Sequence, residues 1–154
     1  MSELKVSLQN DLTDAIRAKD QLTTGTLRMV LSAITNEEVS GKSARQLSDQ
    51  EVLTVLNREA KKRKEAATAF DDANRSELAD RERAELDVIS KYLPEALSDG
   101  DLAAIISDAV AQVTASGQSG PSAMGAVMKI VTPQVTGRAD GAAVATAVKA
   151  ALAG

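Results

Sequence analysis

The sequence predicts an all-α fold: an N-terminal bundle of about four helices followed by a small three-helix C-terminal domain. Three observations predict it. Apolar residues recur at helical spacing along almost the whole chain, alternating strand-like runs are close to absent, and the joints carry helix caps and breakers.

Leu4, Leu8, Leu12 and Ile16 recur every four residues and define a first helix ending near Lys19-Asp20. A second stripe, Leu27, Val30, Leu31 and Ile34, runs toward Gly41, a residue suited to a C-terminal cap. Ser48-Asp49-Gln50-Glu51 is a capping box that opens a third helix through Val52, Leu53, Leu56, Ala60, Ala67 and Phe70. Asn74-Arg75-Ser76-Glu77 opens a fourth, with Leu78, Leu86, Ile89 and Leu93 inward and Pro94 after it.

The texture changes at Pro94. The first 93 residues carry 15 Lys/Arg and 17 Asp/Glu, the remainder only 3 and 5. This shift predicts an N-terminal domain over 1–94 and a C-terminal domain over 95–154, jointed around residues 93–98. In the second domain Ser98 is an N-cap with Asp99 and Asp101 in the first turn, and Leu102, Ile105, Ile106, Ala109, Val110 and Val113 form one face. The connector Thr114–Pro121 follows. The next helix carries Met124, Val127, Met128, Val131 and Val135, with Pro133 inside it. Gly137 suits its cap and Asp140 the N-cap of a last helix bearing Val144, Ala147, Val148 and Leu152.

Composition narrows the function. Among 154 residues there is no Cys, no His and no Trp, and aromatics make up 1%. Thiol and imidazole catalysis, disulfides and Cys/His zinc sites are therefore excluded. Base-stacking platforms are excluded too. No Gly-x-Ser-x-Gly, Walker loop or Gly-x-Gly-x-x-Gly is present, and the adjacent acidic pairs Glu37-Glu38 and Asp71-Asp72 splay around a helix. No catalytic residue, cofactor or metal is indicated. The net charge of -4 gives no bulk attraction to nucleic acid, so anion binding would need a local patch. The start, Met1-Ser2-Glu3-Leu4-Lys5-Val6, lacks a signal architecture, and no apolar run approaches a bilayer span. The expectation is a cytoplasmic protein without a membrane partner.

Two segments carry the candidate sites. Arg58 to Glu65 is the densest charge cluster, with Arg58, Lys61, Lys62 and Glu65 opposite the apolar stripe and Glu59 and Arg63 inside it. Glu59 and Arg63, one turn apart, suit an internal ion pair, and the rest reads either as a solvated face or as a phosphate-facing ridge of Arg58, Lys61, Lys62 and Lys64. On the second helix Arg28, Asn36 and Glu37 flank the stripe. The other segment is Met124-Gly125-Ala126-Val127-Met128-Lys129 with Thr136-Gly137-Arg138-Ala139-Asp140-Gly141. Gly125 suits close approach of a neighbouring helix, and Arg138 with Lys129 beside a helix N-terminus suits a phosphate.

Met-Gly-Ala-Val-Met-Lys at 124–129 followed by Gly-Arg-Ala-Asp-Gly at 137–141 resembles the signature of YqeY-like proteins. It is also similar, with Ala-Asp where that relative has Ala-Asn, to the C-terminal tail of the GatB subunit of the tRNA-dependent amidotransferase. Leu27-Arg28-Met29 with Asn36-Glu37, Arg58-Glu59 through Lys64, and Lys91-Tyr92-Leu93-Pro94 extend the resemblance over essentially the whole chain. The resemblance implies a helical domain followed by a three-helix domain, with tRNA and amidotransferase or other translation proteins as partners. It carries Lys129, Gly137 and Arg138 over as RNA-contacting positions, and Lys149 joins them as the sole other cation of that domain. The amidotransferase's kinase-like cradle and amidase subunit have no counterpart here, so its carbon–nitrogen ligase label describes the relative. Two functions compete: a non-catalytic tRNA-binding or amidotransferase-accessory module, and a helical protein-docking or self-associating module that binds no RNA.

Overall fold

The computed structural model describes residues 1–154 and is all-α, as expected. Its helices are α1 (Glu3–Arg17), α2 (Gln21–Glu38), α3 (Asp49–Asp72), α4 (Ser76–Ser90), α5 (Asp99–Ala115), α6 (Met124–Val135) and α7 (Gly141–Ala153), with a short 3-10 turn at Pro121–Ala123. The chain divides into two compact units, Met1–Leu93 and Pro94–Gly154.

In the first unit α1 to α4 enclose a core of Leu8, Leu27, Val30, Ile34, Val52, Leu56 and Ile89. Ile16 does not join it and is half exposed, while its neighbour Ala15 is buried. At about 100° per residue, a four-residue step overshoots a turn by about 40°. By Ile16 the error from Leu4 is about 120°, whereas Ala15 is only about 20° off the Leu4 direction. The helix then stops at a turn in which Lys19 has φ 56°, and the Asp20 N–H bonds to Ala15 O at 3.0 Å. Asp20 caps α2, its side chain accepting from the Thr23 N–H at 3.0 Å.

Gly41 is not the cap of α2. The helix ends at Glu38 with Val39 as C-cap, and the Glu38 carbonyl accepts from the Arg45 N–H at 3.0 Å across the returning loop. Leu47, inside that polar loop, plugs the core at 3% exposure.

The capping box of α3 forms as its sequence requires. The Glu51 N–H donates to Ser48 Oγ at 3.2 Å, and the Ser48 N–H donates to Glu51 Oε2 at 2.8 Å. Arg45 adds an ion pair at 2.8 Å. Hydrogen bonding from Arg45 is the largest influence holding the Glu51 carboxyl down at about 2, with the Ser48 backbone next. Asp49, bonded by Ser2, and Asp71, bonded by Arg83, are also lowered. A depressed carboxylate stabilises the fold above its unfolded pKa and loses that contribution as pH falls through the folded value. Stability should therefore drop as pH falls from about 4.5 toward 2, and Glu51→Gln should flatten that limb in urea titrations across pH. An unchanged limb would remove Glu51 from the account.

α4 opens at Ser76 without a side-chain cap: its N-cap residue is Arg75, and Asn74 occupies a left-handed turn at φ 58°. Leu93 lies beyond the helix yet packs on the core with Tyr92. The Tyr92 hydroxyl donates to Asp11 Oδ2 at 2.5 Å, tying the stretch after α4 to α1. Burial first, then the Asp11 carboxylate, pushes its pKa up.

In the second unit α5, α6 and α7 bury Ile106, Ala109, Val113, Val127, Val131, Val144 and Val148. The Asp101 N–H donates to Ser98 Oγ at 3.1 Å, the cap expected for α5. Gly137 takes φ 77°, the left-handed conformation that ends α6. Gly125 brings no helix close: it is exposed, with nothing within 4 Å of an added Cβ. The reason is angular, since Gly125 sits about 200° around α6 from the buried Val127. Asp140 precedes α7 but makes no side-chain cap bond.

Candidate functional site

The first unit carries an open groove of about 570 Å³ between α2 and α3. Four-residue and three-residue steps place Met29, Ser32, Ala33 and Asn36 on one row of α2. Val55, Arg58, Glu59 and Lys62 form the facing row of α3. Val55 and Glu59 are buried, Ala33 is half-buried, and Met29 is 44% exposed. Arg28, Arg58 and Lys62 stand in solvent at the edges.

A charged network underlies the groove. Arg63 Nη1 donates to the Glu59 carbonyl at 3.0 Å and to Glu59 Oε2 at 2.9 Å. Its Nε lies 3.3 Å from Glu85 Oε2 of α4, close enough for an ion pair but not aligned for a hydrogen bond. Arg63 Nη2 sits 3.8 Å from Met29 Sδ. Arg63 is 6% and Glu59 8% exposed. Burial opposes ionisation of Glu59, but hydrogen bonds from Arg63 and Lys62, with their charges, outweigh it and leave its pKa lowered. The internal Glu59–Arg63 pair that the sequence suggests is thus formed, and Glu85 extends it to a third helix.

The four cations of the expected α3 ridge are not equivalent. Arg58 Nη1 is held by Glu37 Oε2 at 3.3 Å, and Lys62 Nζ by Glu59 Oε1 at 3.2 Å. Both therefore spend charge on the groove's own carboxylates. Lys61 and Lys64 are exposed and lie outside the groove lining.

In the second unit Lys129 on α6 and Lys149 on α7 are exposed. Gly137 and Arg138 form the turn between these helices, where the Arg138 N–H bonds to Val135 O at 2.8 Å. The Arg138 carbonyl accepts from the Leu97 N–H at 2.9 Å, and its Nε donates to the Glu95 carbonyl at 3.3 Å. That side chain is thereby anchored by a backbone carbonyl and not by a carboxylate. A shallow apolar trough of about 280 Å³ lies between α5 and α7, lined by residues such as Ile106, Val110 and Ala147.

The sequence sets Arg28, Asn36 and Glu37 beside the stripe of α2, and Arg58 and Lys62 opposite that of α3 with Glu59 inside it; the structure instead brings Arg58, Glu59 and Lys62 together along the groove facing the α2 row. The co-occurrence of Leu27-Arg28-Met29, Asn36-Glu37 and Arg58-Glu59 as pieces of one pattern was the available signal.

Residues 5–152 match the profile of the family described as Yqey-like protein. An uncharacterized protein of Schizosaccharomyces pombe is 32% identical over 97 residues, covering 62% of this chain and 76% of its own. The altered inheritance of mitochondria protein 41 of Lachancea thermotolerans is 30% identical over 118 residues, covering 75% of this chain and 61% of its own. The protein of that name from Saccharomyces cerevisiae is 34% identical over 90 residues, covering 57% of this chain and 47% of its own. The chain thus spans about half to three-fifths of these mitochondrial relatives. Their names overturn the expectation of a cytoplasmic protein: the relatives are mitochondrial. No helix is long and apolar enough to cross a membrane, but that property does not assign a compartment, which is why the inference failed. With two helical units and a profile match over nearly its full length, the chain belongs to the YqeY-like family.

Proposed function

We propose that this chain is a non-catalytic accessory module that binds tRNA-like RNA by its phosphates through the second unit. The observation that carries the reading is that Lys129, Arg138 and Lys149, all the cations of that unit, are exposed and face no carboxylate at ion-pair distance. In the first unit Arg58, Lys62 and Arg63 are already engaged by Glu37, Glu59 and Glu85, and of the groove and the ridge beside it only Arg28, Lys61 and Lys64 are exposed without a carboxylate partner. The Gly137 turn supports the reading by presenting Arg138 just ahead of the α7 N-terminus, where free N–H groups favour anions. The resemblance of residues 124–129 and 137–141 to the GatB tail supports the choice of RNA.

Without aromatic platforms, such binding reads phosphate positions and shape, so it weakens steeply with salt. Three phosphate contacts give a log–log slope of roughly -3. Titration of bulk tRNA at two salt concentrations tests this, alongside a Lys129→Ala/Arg138→Ala/Lys149→Ala variant. Salt-sensitive binding that the variant loses is expected. Binding with a slope near zero, or binding that survives the variant, refutes the mechanism. The apolar trough between α5 and α7 favours a second reading, a protein-docking module. Absence of RNA binding together with a nuclease-resistant protein complex would support that reading instead.

A further inference from the structure

We infer that the α2–α3 groove of the first unit is a docking site for an acidic, apolar-anchored peptide segment of a partner protein. The inference is independent of the RNA reading, because the groove belongs wholly to Met1–Leu93 and uses none of the second unit's cations.

Charge complementarity identifies the occupant. In a chain of net charge -4 the groove gathers Arg28, Arg58 and Lys62 against Glu37 and Glu59. Both of those carboxylates are already taken, Glu37 by Arg58 and Glu59 by Lys62 and the buried Arg63. Arg28 is left exposed with no carboxylate partner, and exposed Arg58 holds only the half-buried Glu37 at 3.3 Å, an arrangement an incoming carboxylate can extend. The lining therefore carries one more cation than carboxylates, and the unpaired one is Arg28 at its edge.

The floor decides the rest of the ligand. Val55 and Ala33 offer apolar surface, and Met29 offers a flexible thioether wall that adapts to varied side chains. Met29 is itself braced from beneath, its sulfur 3.8 Å from Arg63 Nη2. An apolar side chain seated there, flanked by Asp or Glu reaching Arg28 and Arg58, satisfies both surfaces at once. A nucleic acid satisfies only the edge, since the groove has no aromatic face for a base. The groove's openness along two helices suits an extended or helical segment, the usual manner of helix-in-groove recognition.

A random short-peptide library displayed on phage, panned on the full chain, tests the assignment. Recovered peptides should pair a Leu, Ile or Met with flanking Asp or Glu. Arg28→Glu, an exposed substitution that leaves the melting temperature unchanged, should weaken their binding about tenfold. Met29→Asp should abolish it, and Arg17→Glu, an exposed reversal on α1 outside the groove, should leave it intact. The inference is overturned by failure to enrich any peptide, by enrichment of basic peptides, or by binding indifferent to Arg28→Glu. It is equally overturned if tRNA displaces the peptide in an Arg28-dependent manner, which makes the groove an RNA site. A chain that elutes at twice its mass and is split by Met29→Asp gives the groove to a second copy, with the same consequence.

Discussion

Arg63→Ala should cost about 3–5 kcal/mol of stability, because it leaves two carboxylates without the cation they share. Arg63 contacts Glu59 at 2.9 Å and Glu85 at 3.3 Å, and the two acidic side chains are only 11% and 12% exposed. Without it, Glu59 retains Lys62 and Glu85 retains Arg81 at 3.8 Å, both mostly in solvent and poor substitutes. A loss of that size lowers the melting temperature by at least about 10 °C in a domain of this size. Two companion results separate this cause from lost packing. The deficit should shrink as pH falls, since Glu59, whose carboxyl Arg63 helps hold down, binds a proton more readily in the folded variant than in wild type. Glu59→Leu/Arg63→Met/Glu85→Leu should recover most of the stability, because an apolar replacement removes the desolvated charges together. Arg63→Lys should not rescue fully, since one ammonium cannot reproduce the guanidinium fork toward two carboxylates and a carbonyl. A cost under about 1 kcal/mol would mean that the network behaves as an exposed pair and does not brace the groove floor.

This network shows where sequence reading succeeds and where it stops. Glu59 and Arg63 are legible as a pair because both fall on the apolar stripe of one helix, one turn apart. Glu85 is not, because nothing local tells which row of α4 meets α3. The same limit hid the groove, whose two walls come from helices separated by the Leu47 loop. Helix existence was legible throughout, since periodic apolar residues and the Ser48 and Ser98 caps agree with each other. Ends were less so: Gly41 looked like a cap, but the chain turns earlier because the Glu38 carbonyl finds the Arg45 N–H. Gly125 and Ile16 depart from expectation for one reason: residue identity and four-residue spacing do not carry the angle that accumulates around the helix. The candidate RNA positions are visible in the sequence as isolated cations, but their freedom from carboxylate partners is a property of the fold.

Val131→Asp should unfold the second unit while sparing the first. Val131 is fully buried in a cluster made only of apolar side chains from α5, α6, α7 and their connections, with no cation to receive a carboxylate. Burying that charge costs several kcal/mol, comparable to the whole stability of a small domain. The two hydrophobic clusters share no residue, so the charge enters the second core alone. Amide exchange should lose protection throughout Pro94–Gly154 and keep it in α1 to α4. Val131→Ala, which only trims the side chain, should retain both. The proposed RNA binding should vanish in Val131→Asp, and acidic-peptide binding in the α2–α3 groove should persist. Simultaneous loss of protection across the whole chain would contradict this division.

RNA phosphates held by the second unit, as proposed, would leave a direct trace in lysine footprinting. The intact protein would be acetylated with and without saturating tRNA, and each lysine quantified by mass spectrometry. Protection of Lys129 and Lys149 is expected, with Lys62 unchanged at its Glu59 partner. Unaltered Lys129 and Lys149 under saturating tRNA, or protection confined to Lys61, Lys62 and Lys64, would contradict it.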